Sequence, residues 1–218
     1  MPVDAPTSAQ LASAGDSSDE IHRAALALAE PRPGLSWLDL GCGTGDVLRA
    51  IRDRHAPAAL TGVDPIDWLA DDLRGAVTMV VGPAETAPLE PADRVLMVEV
   101  IEHLDAPWTV LRNAACAVRP GGLIVVTTPS ITNLRHRAEL ALRGRLTSFR
   151  PDNLPHLGPA LPHVAARVME EAGLATSISY CGRDVVPKTG GRPWPRWAQA
   201  AAPQLTSVSV AVVGRARP

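Results

Sequence analysis

The stretch LSWLDLGCGTGD, residues 35–46, constrains the fold more than any other part of the chain. A short apolar run ends abruptly in three glycines. From Thr44 to His55, Val47, Leu48 and Ile51 then recur at helical spacing. A strand that hands a glycine loop to the start of a helix is the opening unit of an α/β sheet. In such sheets ligands lie beyond the carboxyl ends of the strands. Glycines allow the sharp turn and let a ligand approach where a Cβ would clash.

The remaining pattern extends that unit. ALTGVD (59–64), VTMVV (77–81), RVLMVEV (94–100) and LIVVTT (123–128) read as further apolar strands. Helical spacing marks 108–118 and 161–172, with Gly173 as a cap, and an earlier helix starts at Ser18 and is stopped by Pro31 and Pro33. Strands this apolar, separated by helices, are buried on both faces. The expected architecture is therefore α/β and Rossmann-like: a doubly wound, mostly parallel sheet with helices on both faces. LATSISY (174–180) and TSVSVAVV (206–213) differ, because Ser207 and Ser209 alternate with apolar residues. Only a Pro/Gly/Trp stretch, 187–197, joins them, so an antiparallel, hairpin-like edge is expected, with the last strand antiparallel. Trp194 and Trp197 are expected to pack.

Residues 1–17 lack periodicity and read as a flexible tail, leaving 18–218 as one domain. With 46% hydrophobic and 20% charged residues the chain can build a core. A net charge of -2 excludes a globally basic nucleic-acid coat. Three cysteines without a CxxC pair argue against a disulfide framework or zinc ribbon and point to a reducing cytoplasm. No apolar run approaches the roughly 18 residues of a membrane span, and the N-terminus lacks the basic and apolar regions of a secretory signal.

The loop also speaks to its ligand. A dinucleotide site is written G-x-G-x-x-G/A, with the diphosphate on the helix N-terminus. Here the third glycine comes one place early, and Asp46 stands where Gly or Ala belongs. Asp39 precedes the loop, and Asp64 ends the second strand, where a carboxylate can accept from both hydroxyls of a ribose. Acids around the loop repel a diphosphate and suit a positively charged nucleoside such as S-adenosyl-L-methionine. A nicotinamide oxidoreductase is the alternative that this spacing disfavours.

WLDLGCGTG followed by GVDP resembles the first two motifs of the class I S-adenosylmethionine-dependent methyltransferases. GPAETAPL (82–89), DRVLMVEVIEHL and VRPGGLIVVTTP resemble the later ones, so that the likeness covers about residues 35–180. The resemblance implies a methionine cradle of Gly41, Cys42, Gly43 and Gly45 with Asp39 behind it. It implies Asp64 at the ribose, Pro65 and Ile66 beside the adenine, and Ala84 and Glu85 at its border. Many relatives carry an acid where this chain has Pro83, so the adenine amino group must be met by Glu85, backbone or water. Cys42 reads as a small filler, with no activating partner in view.

EVIEH, at the end of the fourth strand, places Glu99, Glu102 and His103 on one face if it forms a helical turn. That face lies where the methyl group emerges. The run resembles the ubiquinone-pathway O-methyltransferases and the small-RNA 3′-terminal 2′-O-methyltransferases. In the latter, a Glu-x-x-Glu-His run and a later histidine bind a divalent ion. A candidate metal set is thus Glu99, Glu102, His103 and His156. The alternatives are a metal-free pocket, with Glu99 lining the cofactor and His103 and Glu102 acting on the acceptor, and a purely structural role. A hydroxyl is a poor nucleophile, so a base or a metal that lowers its pKa is what O-methylation needs.

Residues 129–161 are long for a connection and read as a lid. Leu134, Ala138 and Leu142 predict a short helix in it, and Arg135, Arg137, Arg143, Arg145 and Arg150 make it basic. A basic lid suits an acidic small-molecule substrate, and a solvated helix face is the alternative. RNA is disfavoured, because Phe149 is the one stacking ring nearby. The expected function is methyl transfer from S-adenosylmethionine to a small-molecule hydroxyl. An RNA 2′-O-methyltransferase-like enzyme and a non-catalytic binding protein are the other readings, and oligomeric state is left open.

Overall fold

A computed structural model describes residues 19–149, 156–184 and 192–218, so the expected tail at 1–17 and Arg150 of the lid lie outside the described residues. In chain order the helices and strands are α1 (Asp19–Leu28), β1 (Ser36–Leu40), α2 (Asp46–His55), β2 (Ala59–Asp64), β3 (Thr78–Val81), β4 (Ala92–Val98) and α3 (Pro107–Cys116). They continue as β5 (Val118–Pro129), α4 (Leu134–Arg143), α5 (Pro162–Glu171), β6 (Ala175–Cys181), α6 (Arg196–Ala201), α7 (Pro203–Thr206) and β7 (Ser209–Arg215). Short 3-10 turns lie at Asp71–Leu73, Ile101–His103 and Thr147–Phe149.

Local chemistry explains the boundaries. Asp19 and Glu20 face the positive end of the α1 dipole. Pro107 and Pro162 open α3 and α5, where a missing N–H costs nothing. Asn133 caps α4 by accepting from the amide of His136, and Gly144, at φ 65°, ends it.

The strands form one seven-stranded sheet in the order β3-β2-β1-β4-β5-β7-β6. The first five are parallel, and β7 is antiparallel to both β5 and β6. One core layer joins α3 and α5, through Val110, Leu111, Ala114, Ala165 and Met169, to Leu38, Val95 and Ile124. The other joins α1 and α2, through Ile21, Ala25, Leu48 and Ile51, to Trp37, Leu96 and Val125. Helices therefore cover both faces, as the apolar strands require. The strand order reverses between β1 and β4. The loop after β1 and the turn after β4 flank that switch point, which is where an open sheet leaves a crevice.

The last two strands pair antiparallel and form one edge of the sheet, as expected. β7 lies between β5 and β6 and is buried over six residues, while β6 is the half-exposed edge strand. Other expectations are corrected. Two short helices, α6 and α7, lie between them. Ser207 and Ser209 are buried, so the polar alternation there marks no solvent face. The base of the lid accounts for this: Asn133 Nδ2 donates to the Ser207 carbonyl at 3.2 Å, and the Ser130 amide to the Val208 carbonyl at 2.7 Å. Trp197 is 74% exposed and does not pack. The stripe Leu134, Ala138 and Leu142 also faces outward, and the buried residue of α4 is His136. Burial of an imidazole here follows from its two partners, the Ser130 carbonyl at 2.8 Å and the Ser148 hydroxyl at 3.1 Å.

Candidate active site

Gly41, Gly43 and Gly45 all have positive φ, at 73°, 50° and 87°. At Gly41 the requirement is also spatial, since an added Cβ would lie 2.4 Å from Val100 Cγ2. The loop's amides are consumed internally. Gly41 and Cys42 donate to the Val63 carbonyl (2.7 and 3.2 Å), Gly45 donates to the Cys42 carbonyl (2.9 Å), and Gly43 donates to Asp64 Oδ2 (3.0 Å). A nest of unused N–H groups, which a diphosphate needs, is not what this turn offers at those four positions. Asp64 also accepts from the Ile66 amide at 3.1 Å, and two of its roughly four lone-pair positions remain for a ligand.

A small cleft opens behind the loop, lined by His22, Asp39, Gly41, Cys42, Gly43, Thr44, Asp46, Val47 and Val98. Asp39 is buried there, and burial, reinforced by the charge of Asp64, pushes its pKa up to about 8. A buried carboxyl held near neutrality is a latent negative charge, which a cationic ligand would draw out. Cys42 fills the turn, with its sulfur 3.8 Å from that of Met79, and burial raises its thiol pKa further from reactivity.

Of the expected cofactor residues, Asp39, Gly41, Cys42 and Gly43 share this cleft, and Gly45 ends the loop at the start of α2. Asp64 reaches the loop through Gly43, while Pro65 and Ile66 follow it half-buried. Gly82 ties the next segment to β2 by donating to the Asp64 carbonyl at 2.9 Å. Ala84 belongs to the hydrophobic core, so a ligand would meet its backbone, and Glu85 is half-buried. His22 is a cleft residue that sequence reasoning missed. Its one signal is a helical position beside the buried Ile21, which no motif marks.

On the other side of the switch point, Val100 packs against Gly41 and carries the EVIEH turn to the loop. Glu99 has φ 56°, a left-handed backbone unusual for a residue with a side chain. Its amide donates to Thr127 Oγ1 at 3.0 Å. Burial raises the Glu99 pKa to about 7, with the Thr127 and Ser209 hydroxyls pulling it back. Glu102 is buried, and burial together with the Glu99 charge raises its pKa well above the ordinary range. Thr128 Oγ1 donates to Glu102 Oε2 at 3.2 Å, while Oε1 of Glu102 and Oε1 of Glu99 have no hydrogen-bond partner among the described residues.

The lid completes this side. The amides of Leu157 and Gly158 donate to the Glu102 carbonyl at 2.8 and 3.3 Å. They seat His156 with its ring centroid 4.8 Å from that of His103, edge to face. His156 Nδ1 meets the Ser148 carbonyl at 2.7 Å, which puts the proton of the neutral ring on Nδ1 and leaves Nε2 as the basic nitrogen. Glu102, His103 and His156 each offer a ligand atom within 4.8 Å of the others, and Glu99 stands outside that group. Arg135 is drawn to the buried Asp184 at 3.4 Å, whereas Arg137, Arg143 and Arg145 are exposed. No described helix is long and apolar enough to cross a membrane.

A family profile described as a methyltransferase domain matches residues 12–177. A ubiquinone biosynthesis O-methyltransferase of Rhizobium leguminosarum bv. trifolii is 29% identical over 171 residues, which is 74% of this chain and 64% of that protein. The chain thus spans under two thirds of that relative's length. The YcgJ protein of Bacillus subtilis superposes with a TM-score of 0.67 at 14% identity, covering 91% of this chain and 98% of the other. Phosphoethanolamine N-methyltransferase 2 of Haemonchus contortus, solved with S-adenosyl-L-methionine, superposes with a TM-score of 0.61 at 14% identity, covering 90% and 52%. These two likenesses are to the fold.

Proposed function

Because the chain belongs to the methyltransferase-domain family, as a class I S-adenosylmethionine-dependent methyltransferase, we propose that it methylates a hydroxyl oxygen of a small acidic molecule. The observation that supports this reading is the Glu102, His103 and His156 cluster beside the glycine loop. The fold does not choose the acceptor atom, since its structural neighbours include an N-methyltransferase. The cluster favours oxygen. A neutral amine needs no base to attack, whereas a phenol, with a pKa of about 10, or an alcohol does. The named O-methyltransferase relative points the same way.

The residues present fit the cofactor. Glycines clear the approach, Asp64 keeps acceptor capacity for ribose hydroxyls, Pro65, Ile66, Ala84 and Glu85 border the adenine position, and Asp39 and Asp46 face the cationic end. When bound, the sulfonium supplies an activated methyl group. The chain's own part is to hold the acceptor hydroxyl in line with it and to remove the proton. Nε2 of His156 and the imidazole of His103 are the bases in place, and Glu102, its pKa raised by burial and by the Glu99 charge, positions the hydroxyl. Exposed Arg143 and Arg145 draw an anionic acceptor to the lid.

A second reading has an observation of its own. Glu102 Oε1 is buried without a partner beside two imidazoles, a donor set suited to one divalent ion. Such an ion would lower the hydroxyl pKa in place of a base. Two measurements test these proposals. Labelled cofactor offered to matched pools of hydroxy acids and amines should label the hydroxy acids, and labelling confined to amines refutes oxygen transfer. Activity that survives exhaustive chelation, in protein free of metal by elemental analysis, removes the ion. In the same preparations Asp64→Ala should weaken S-adenosylhomocysteine binding by at least tenfold by calorimetry.

A further inference from the structure

His136 is a buried imidazole outside the cluster just described. It stands at the base of the lid, where α4 is tied down. The His136 amide donates to Asn133 Oδ1 at 2.8 Å, and Asn133 Nδ2 donates to the Ser207 carbonyl. Arg135, the preceding residue, is drawn to the buried Asp184. The far end of the helix, by contrast, is exposed at Leu140, Leu142 and Arg143. His136 therefore acts from a fixed support.

Its ring touches two separate segments. Nδ1 lies 2.8 Å from the Ser130 carbonyl, an oxygen that can only accept, so the proton of the neutral ring is on Nδ1. Nε2 is then an acceptor, and the Ser148 hydroxyl, 3.1 Å away, donates to it. Ser148 belongs to the turn Thr147–Phe149, and its carbonyl accepts from Nδ1 of His156 at 2.7 Å. Ser148 thus joins two imidazoles: His136 holds its side chain, and its backbone holds His156. The line ends where His156 meets His103 and Glu102. A carbonyl on one ring nitrogen sets both the tautomer and the orientation of a histidine.

We propose that His136 is a positioning residue for methyl transfer: by fixing the Ser148 carbonyl it keeps the His156 proton on Nδ1 and presents Nε2 as the base. This rests on the reading of His156 as a base, and the test separates the two. Nitrogen NMR of the histidine rings in the chelator-treated full chain reads the tautomer without any acceptor. Wild type should carry the His156 proton on Nδ1. Ser148→Ala and His136→Ala should each lower the ratio of the Nδ1–H to the Nε2–H tautomer about tenfold. Binding of S-adenosylhomocysteine should be unchanged, because the glycine loop is built from other elements. His136→Gln, which can donate to Ser130 and accept from Ser148, should recover part of the ratio. With an acceptor that the wild type methylates, kcat should fall with the ratio while KM stays. Should His136→Ala fail to fold, Ser148→Ala decides alone, since it cuts the link and keeps the buried ring. A wild-type ring protonated on Nε2, or a tautomer unmoved in Ser148→Ala, overturns the role of His136. Full activity in His156→Ala overturns the base reading and, with it, the role built on it.

Discussion

The cofactor half and the acceptor half of the crevice are built in opposite ways. The first is a continuous turn, Gly41–Gly45, braced by Asp64 on the neighbouring strand, and its shape is set by backbone hydrogen bonds and by the absence of Cβ atoms. The second is assembled from a turn after β4 and from His156 on the far side of the lid, joined by two amides that donate to the Glu102 carbonyl. The halves also share a trait: each buries carboxyl groups at a cost in stability, Asp39 in one and Glu99 and Glu102 in the other. A fold keeps such groups where a ligand or a reaction will use them.

Titration should break this symmetry most strongly. Asp39 has a folded pKa of about 8 against an ordinary 3.8, and Glu99 about 7 against 4.5. The folded state therefore holds protons that the unfolded state has released. Stability is fullest below about pH 4 for these groups and is lost as pH rises through 7 and 8. Each unit of displacement corresponds to ~1.4 kcal/mol, so Asp39→Asn should raise the ligand-free protein's stability at pH 9 by several kcal/mol. Urea titrations at pH 5, 7 and 9 measure this, and an unchanged slope in Asp39→Asn would show the carboxyl to be solvated. The same variant should bind the cofactor less well, since a neutral amide cannot answer a cation.

Smaller effects should separate backbone from side-chain encoding. Gly41→Ala meets both a φ of 73° and Val100, a stiff β-branched neighbour, whereas Gly75→Ala meets a φ of 87° and open space. Both incur the left-handed strain, and Gly41→Ala should lose about 1–3 kcal/mol more from crowding. Equal losses by chemical denaturation would mean that the loop yields easily. The smallest expected change is in the lid. Arg143→Glu with Arg145→Glu should leave stability within about 0.5 kcal/mol, because both side chains are exposed. It should raise KM for an acidic acceptor several-fold with kcat little altered, and an unmoved KM would mark these arginines as a solvated face.

What could be read in advance follows the same division. The alternation of apolar strands and helices, the parallel sheet, and a glycine turn unsuited to diphosphate were legible because each depends on residues close in sequence. The position of β7 was not. The polar alternation at Ser207 and Ser209 looks like a solvent face, but pairing with β5 on one side and β6 on the other makes β7 an interior strand, while Asn133 and Ser130 at the lid base hold the residues that lead into it. The α4 stripe misled for a related reason. Helical spacing says which residues share a face but not which face the rest of the molecule covers, and His136, with two partners waiting, was buried in place of Leu142.

Sequence alone determined the elements, their class and the chemistry of the turn after β1, because backbone conformation and hydrophobic period are properties of short segments. Tertiary structure decided that His22, from the first helix, faces Asp39 and Asp46, and that His156 meets His103 and Glu102. Those encounters join residues far apart along the chain. They are fixed by which surfaces the two core layers leave uncovered at the switch point of the sheet, a quantity that no local pattern contains.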